Sequence, residues 1–579
     1  MAAFTRALAL AASFGSLVSA QTLKVDGEVV SANGVTVAPA TEAVGGELQL
    51  TDAFADESEA LDKRALSDLA KCKSMPSDLL WPGKLVWKVF ELLTGGALIK
   101  TVPFGAVCFP GEHYDANECS RIVDNWTNSD THDEDPTANM YPLYEGNACL
   151  PQDAGKEGAK CQLGGLLVCS VKATSVSQIQ LAVNFARSLN LRLVIRNTGH
   201  DFLGKSTGAG SLNIWTHHLK NIELLKDYKS AGSYSGPALK VGAGVQTVGV
   251  AGGFIAMGGH SPMSPIAGLG SDQVLGNAEI FWAVRGVGGA TFGVVTSLTV
   301  RIWPKMTFSG VTWSLSSEEA GISKDLFWEA MRIYWAKFPE YNDNHTYGYS
   351  TLFSAGPGKY LWSMKPWLVP GMQLPRSRPC HFPTESVGAS TVRTASRPIP
   401  RKNFEDVELL NKTMDTVQSI VEDGSVLIQY NINGAAPKNV ASSALNPAWR
   451  DASMFAIVGA GWSPDSSPAD ILATNKKITN DWMERLREVT PGSGGYGNEG
   501  DVMEPNFGQA FYGSENYKRL YALKKKLDPW GIFYAPTAVG SEDWGIVKVP
   551  GLLDGLLYGD LLETLSSWLT LQAGRLCRK

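Results

Sequence analysis

Reactive side chains and flexible backbone coincide most densely at Arg196-Asn197-Thr198-Gly199-His200-Asp201-Phe202-Leu203-Gly204-Lys205-Ser206-Thr207-Gly208-Ala209-Gly210. The apolar run Leu193-Val194-Ile195 leads straight into this stretch. Its glycines let backbone amides turn inward, and Lys205, Ser206 and Thr207 add donors, which together make an anion cradle suited to a pyrophosphate. The spacing is neither the GxxxxGK[ST] of a phosphate loop nor the GxGxxG of a dinucleotide fold, so on composition alone an ordinary glycine-rich loop competes with the cradle. His200, beside Asp201 at a strand end, has the chemistry of a base, a metal ligand or a nucleophile; the alternative is a solvated loop histidine. No metal spacing surrounds it, and the adjacent His217 and His218 point apart on any regular backbone. Two more glycine clusters follow, at 252–272 and 281–295. Side-chain-free backbone beside aromatic residues at three points suits a large flat ligand threading the domain.

Rigid elements must hold these loops. Short valine-rich runs at 166–171, 191–195, 238–241 and 292–302 predict strands, and 175–188, with Ile179, Val183 and Phe185 near helical spacing, predicts a helix between the first two. Strand, helix, strand is the unit that folds mixing helices with sheets require. Helices are predicted at 319–338, 404–421 and 471–489, the last capped by Asp470, and a strand at 426–432. The segment 362–400, rich in proline, serine and arginine, has no clear period and reads as a long surface excursion without secondary structure. Tyr347, Tyr349, Trp362 and Trp367 in this middle region suit a flat or sugar-like substrate, or else the core of a second domain.

Residues 1–20 carry one arginine, a run of small apolar residues and Val18-Ser19-Ala20 before Gln21, the layout of a signal peptide. The eight cysteines, six of them between Cys72 and Cys169, and the sequons at Asn125, Asn344 and Asn411 fit the same secreted, extracellular destination. At least two disulfides are expected among those six, in a pairing that spacing does not fix. A net charge of −6 with mixed signs leaves no basic footprint for nucleic acid, and no stretch predicts stable membrane insertion.

The strings NTGHDFLGKSTGAGSLNIWTHH, GAGVQ, GGFIAMGGHSPMSPIAGLGSDQVL and FWAVRGVGGATFGVVTSLTVR, with NFGQAFYGSENYKRLYALKKKLDPWGIFYAPTAVGSEDW near the C-terminus, resemble the vanillyl-alcohol oxidase superfamily. They are most similar to its berberine-bridge-like fungal FAD-linked oxidoreductases, the group that includes isoamyl alcohol oxidase. The resemblance implies an α+β fold: a two-subdomain PCMH-type FAD-binding domain and a substrate domain with an antiparallel sheet flanked by helices. The expected organisation is a signal peptide (1–20), a leader and cysteine-containing extension (21–110), the FAD-binding domain (111–305), the substrate domain (306–490), a segment completing the FAD domain (491–544) and a leucine-rich tail (545–579).

By the same resemblance His200 matches the histidine joined to the flavin 8α carbon, while Arg196, Asn197, Thr198, Gly199, Asp201, Gly204, Lys205 and Ser206 touch the FAD. Gly258, Gly259, His260 and Ser261, then Arg285, Gly286, Gly289 and Phe292, match other cofactor-lining loops, and Asn506 and Tyr512 belong to the segment closing the site. Tyr496 resembles a tyrosine at the flavin ring that takes the substrate proton as hydride leaves for N5, with Glu499 and Asp501 as its partners. A tyrosine serves as base only if nearby positive charge or donors lower its pKa from about 10. The substrate would be an alcohol or similar small organic molecule. No iron–sulfur or haem spacing and no nicotinamide fingerprint is present, so dioxygen is the most available electron acceptor, with hydrogen peroxide as product; the alternatives are a flavin dehydrogenase with another acceptor and a non-enzymatic secreted carbohydrate-binding or relic protein lacking functional FAD.

The chain departs from the family pattern at three places. Gln246-Thr247 runs directly into Val248-Gly249, without the helix and the GGxCxxVG cysteine that makes a second flavin link. Asp272-Gln273-Val274-Leu275 passes almost at once to Phe281 without the usual hairpin, and a leucine-rich insert separates Gly540-Ser541-Glu542-Asp543-Trp544 from Gly574-Arg575-Leu576-Cys577, which look like one ending. Two skipped coding stretches and one retained noncoding stretch explain all three; a divergent protein with a single flavin link is the alternative.

Overall fold

The computed structural model describes residues 71–229 (79 excepted), 234–246, 278–301 (290 excepted), 308–370, 387–434, 442–547 and 575–579, with a hairpin of Lys24–Val25 and Glu28–Val29. The signal region, Gly258, Gly259, His260, Ser261, Cys380 and nearly all of the leucine-rich insert lie outside these residues.

The first sheet holds β1 (Leu98–Lys100), β2 (Cys169–Lys172), β3 (Leu193–Arg196) and β4 (Leu212–Trp215) in the order β1-β2-β4-β3. β4 runs parallel to both neighbours, and β1 is antiparallel to β2. Parallel neighbours need a crossover, and α1 (Val176–Ser188) begins the one between β2 and β3 on a capping box, with Ser175 and Gln178 each bonding the other's backbone. Its buried face, Ile179, Ala182, Phe185 and Ala186, packs on Val171, Leu193, Leu212 and Ile214. Three antiparallel strands, β5 (Ile222–Lys229), β6 (Ser235–Gly242) and β7 (Ser297–Arg301), form the second subdomain's sheet.

The third sheet is six-stranded and antiparallel: β8 (Phe308–Ser316), β9 (Tyr347–Gly356), β10 (Lys359–Pro370), β11 (Val392–Pro400), β12 (Val426–Asn431) and β13 (Ala452–Gly461), in the order β8-β10-β9-β12-β13-β11. β13 is buried from Ala452 to Ala460 because both its faces are covered. Met454, Ala456 and Val458 meet the helix-backed core, while Phe455 and Ile457 join a second cluster on the other face. The backing helices include α2 (Lys324–Ala336) and α3 (Val407–Glu422), whose Trp335, Met414 and Val417 are almost wholly buried. The architecture is thus α+β, with two sheet-containing subdomains and helices on their flanks.

Two expectations are corrected here, and the one of at least two disulfides among the six cysteines is met. The segment 362–400 contains most of β10 and all of β11, because its prolines fall where a sheet tolerates them. Lys365 and Pro366 oppose one residue on each neighbour, forming a bulge in the central β10, and Pro398 and Pro400 lie on the edge strand β11. The helix expected at 471–489 starts earlier, at α4 (Pro468–Lys477), and its cap is Ser467, which accepts from the Asp470 amide. Pro468 fits the first helical turn, where no amide bond is lost, so Asp470 is an interior residue of that turn. Of the cysteines, Cys108–Cys119 and Cys149–Cys161 pair within the expected six, whereas Cys72 bonds Cys577. The remaining Cys169 thiol is buried in β2, which pushes its pKa up to about 12.

The two pieces of the family-like ending are adjacent in space. β14 (Trp544–Val547) and β15 (Arg575–Arg578) form an antiparallel ladder running from Trp544 opposite Arg578 to Val547 opposite Arg575. Val547 and Arg575 directly opposite each other are the geometry a two-residue turn closes. Replacing 548–574 by Asn-Gly is therefore expected to keep the Cys72–Cys577 bridge and to hold or raise the unfolding midpoint, since loop-closure entropy falls by about 2 kcal/mol. Peptide mapping without reduction and thermal unfolding check this; a lost bridge or a lower midpoint contradicts it.

Candidate functional site

The loop after β3 is fixed by its own polar groups. The Asp201 carboxylate accepts from the Lys205 amide (2.6 Å), the Leu203 amide (3.3 Å) and the Ser206 hydroxyl, closing 201–206 into a compact turn. Gly199 and Gly204 have φ of 88° and 70°, and a Cβ on Gly204 would come within 2.6 Å of Tyr144 Cβ. Both positions therefore demand glycine. His200, half-buried, follows the first of them.

Arg196 anchors the loop from below. Its guanidinium is 1% exposed and donates to the Ala138 carbonyl (2.6 Å) and Asn139 Oδ1 (2.9 Å). Asn139 Nδ2 in turn donates to the Glu145 carboxyl. Burial pushes Glu145 up to about 8, against the lowering effects of Asn139 and Arg196. Asn197 Nδ2 donates to the Ala243 carbonyl (2.6 Å), tying the loop to the end of the second sheet.

Tyr496 and Glu499 are brought to the same place. The Phe202 amide donates to the Asn498 carbonyl (2.7 Å), and Lys205 Nζ donates to the Gly497 carbonyl, so two loops nearly 300 residues apart in sequence touch. Burial lowers Lys205 to about 8, with Asp201 opposing. Desolvation, then the charge of Glu499, pushes the Tyr496 phenol upward. That direction is opposite to the lowering that a tyrosine base requires. Asp501 is buried against Arg393, whose guanidinium also donates to Thr479 Oγ1 (2.7 Å).

The remaining expected residues fall into two groups. Arg285 lies over the Phe281 ring (4.4 Å), Gly286 approaches the Ala444 backbone too closely for a Cβ, and Gly289 has open space around it. Phe292, Tyr512 and Leu203 share one core, in which the Tyr512 hydroxyl donates to the Thr537 carbonyl (3.0 Å). Asn506 is exposed and donates to Gln509 Oε1 (3.0 Å), away from that core. Thr198 is buried beneath the loop.

Two residues outside the expected site also interact with His200. Asp133, raised by burial and lowered in part by the charge of His200, accepts from Gln246 Nε2. His217, depressed to about 4 by burial and then by Lys220 and His218, also feels His200. His217 closes the same string that holds His200, whereas Asp133 shares no motif with it and only the fold brings it near.

These residues fit FAD. Among the described residues Asn197 Oδ1, His217 Nδ1 and Asp133 Oδ1 are buried without a hydrogen-bond partner, which leaves polar capacity for a ligand beside the turn of amides at 199–206. Gly288, with φ of 75°, and Gly289 leave room beside Asn498 where a Cβ would meet almost nothing.

Comparison with known proteins agrees. Residues 495–540 match the family described as berberine and berberine like. The chain is 32% identical to an FAD-linked oxidoreductase of Gibberella zeae over 540 residues, covering 83% of this chain and 94% of that one. A VAO-type flavoprotein oxidase of Thermothelomyces thermophilus is 31% identical, over 82% and 94% of the two chains. The crystal structure of a VAO-type flavoprotein from Myceliophthora thermophila superposes with a TM-score of 0.72 at 27% identity, covering 88% of this chain and all of that one.

The Glu145 carboxyl gives a testable pH dependence. Its folded-state pKa lies above the unfolded value, so its contribution is complete below about 4.5 and is lost as pH rises through about 8. Glu145→Gln is expected to flatten the decline in stability between pH 5 and 8, read by urea unfolding at several pH values. An unchanged slope would place the titration elsewhere.

Proposed function

The chain belongs to the VAO-type, berberine-like fungal FAD-linked oxidoreductases, and on that premise we propose that it is a secreted oxidase that converts an alcohol or similar organic substrate to the carbonyl and dioxygen to hydrogen peroxide. The observation that carries this reading is the union of the His200 loop with the Tyr496–Glu499 loop, which sets a nucleophilic imidazole and a carboxylate on one site. Bound FAD, attached through His200, would supply the two-electron acceptor at N5.

The chain's own groups do the rest. The Gly204 and Ser206 amides of the 199–206 turn, with the remaining N–H bonds of Lys205, would hold the anionic part of the cofactor. Glu499 accepts the substrate's hydroxyl proton, and the neutral Tyr496 phenol orients the hydroxyl by hydrogen bonding. Asp501, by holding Arg393, positions this loop and does not touch the substrate. The atoms balance: the alcohol loses two electrons and two protons, and dioxygen gains both. Export is supported by the three disulfides and by the exposure of Asn125, Asn344 and Asn411. No helix among the described residues is long and apolar enough to cross a membrane.

Acid precipitation tests the attachment. Flavin colour is expected in the pellet of the parent protein and in the supernatant of His200→Ala; colour kept in the pellet of the variant refutes the link. Anaerobic reduction by a substrate followed by admission of air tests the acceptor. Prompt return of flavin absorbance with about one peroxide per flavin is expected. Flavin that stays reduced in air yet recovers with a quinone identifies a dehydrogenase.

A further inference from the structure

Trp530, the most exposed tryptophan among the described residues at 58%, stands on a turn that is fixed from within. The Asp528 carboxylate accepts from the Ile532 amide (2.8 Å) and the Phe533 amide (2.9 Å), and the Gly531 amide donates to the Asp528 carbonyl (3.1 Å). Gly531, at a φ of 60°, lies so close to the Trp544 ring that a Cβ would clash with it. Trp544 fills the space beneath the turn, and the Trp530 indole is left outside. Leaving so large an apolar ring in water forgoes burial that would stabilise the fold.

Cations from three distant parts of the chain surround this turn. Arg187, exposed in the last turn of α1, lies over the Trp530 ring at 5.8 Å. The exposed Arg578 of β15 donates to the Pro529 carbonyl (2.7 Å) and lies over the Trp544 ring at 5.1 Å. Lys73 is buried; it donates to the Trp530 carbonyl (3.3 Å) and lies over Trp544 at 5.2 Å. Neighbouring carboxylates are already engaged, Asp528 by Lys524 (2.9 Å), Asp543 by Lys525 and Asp78 by Arg575. Neither Arg187 nor Arg578 has an ion-pair partner among the described residues. The excess is felt inside the protein: burial lowers Lys73 to about 8, with Asp528 opposing, and the charges of Arg578 and Lys524 lower it further. A chain of net charge −6 thus gathers uncompensated guanidiniums around its most exposed indole. The bonded Cys72 and Cys577, next to Lys73 and Arg578, hold the two ends of the cluster together.

We propose that the Trp530 turn is a binding site for an acidic polysaccharide, with a pyranose ring laid on the open part of the indole and carboxylates of the polymer paired with Arg187 and Arg578. The C–H groups of a sugar ring carry slight positive charge and suit the electronegative face of an indole. A guanidinium presents two parallel donors to a carboxylate, which fixes direction as well as charge. Single-stranded nucleic acid is favoured less, because it is held by successive stacking platforms along a basic groove and this turn offers one open ring. An anionic membrane surface calls for a broad apolar face on a helix lying in the interface, and the cluster is built on a turn. The site shares no residue with the His200 and Tyr496 loops, so it governs where the protein is held and not what it oxidises.

Titration calorimetry of the purified full-length protein tests this with alginate, the neutral polymer dextran, poly-L-glutamate, oligo(dT) and vesicles of equal parts phosphatidylcholine and phosphatidylserine. Alginate is expected to bind at low ionic strength and to weaken as salt rises, poly-L-glutamate to bind less tightly, and dextran not to bind. Trp530→Ala is expected to weaken alginate binding about three- to tenfold and to leave poly-L-glutamate unchanged, a split that a structural role for the indole would not produce. Trp530→Tyr should restore most of the loss. Arg187→Ala should weaken both polyanions about two- to fivefold at low salt and have little effect at high salt. The proposal is overturned if alginate does not bind, or if poly-L-glutamate, oligo(dT) or the vesicles bind as tightly. It is overturned equally if Trp530→Ala leaves alginate binding unchanged or weakens both polymers alike. Should Trp530→Ala fail to fold, Arg187→Glu on the exposed end of α1 is read instead: lost alginate binding supports the site, and unchanged binding overturns it. None of these readouts involves flavin, so a colourless protein, which refutes the oxidase reading, is tested in the same way.

Discussion

One backbone hydrogen bond, from the Phe202 amide to the Asn498 carbonyl, joins the two halves of the site. A loop leaving a parallel strand of the first sheet meets a loop that follows the six-stranded sheet and its helices, and neither has regular structure to hold it there. The bond survives because each partner is immobilised independently: the 201–206 turn by Asp201, the 495–501 loop by buried Arg393 and by the Gly495 amide bonded to the Ala510 carbonyl (2.7 Å). Loops without such supports would lose more conformational entropy on meeting than one hydrogen bond returns.

The same requirement explains the buried cations. Arg196 and Arg393, both nearly inaccessible, occupy equivalent stations beneath the two loops, and each holds several backbone or side-chain oxygens at once. A guanidinium suits this task because its five donors lie in one rigid plane. Removing either would strand buried acceptors as well as a carboxylate or amide partner, a cost that a surface ion pair never carries.

Much of the arrangement was legible in the sequence where a local rule decides it. The capping box at Ser175 and Gln178, the turn chemistry of Gly199 to Ser206 and the periods of the two long helices after β8 and β11 are properties of neighbouring residues. What escaped depends on partners far away. A proline-rich strand looks like a loop until the bulge that excuses Pro366 is seen, and Asp133 has no reason to be grouped with His200 until the short helix Ser129–Asp133 is placed beneath it. Tyr496 shows the limit differently: the direction of its ionisation was not readable, because burial and the Glu499 charge both arise from packing.

The bridge between Cys72 and Cys577 spans 505 residues of sequence, so between those positions the protein is covalently a ring. A single proteolytic nick anywhere on that ring opens it without releasing a fragment, and the cut protein keeps its mass until the disulfide is reduced. For a molecule exposed to proteases this separates cleavage from loss: the two flanking pieces remain at an effective concentration set by the bridge, and the non-covalent contacts of the fold can hold a cleaved chain in its working shape.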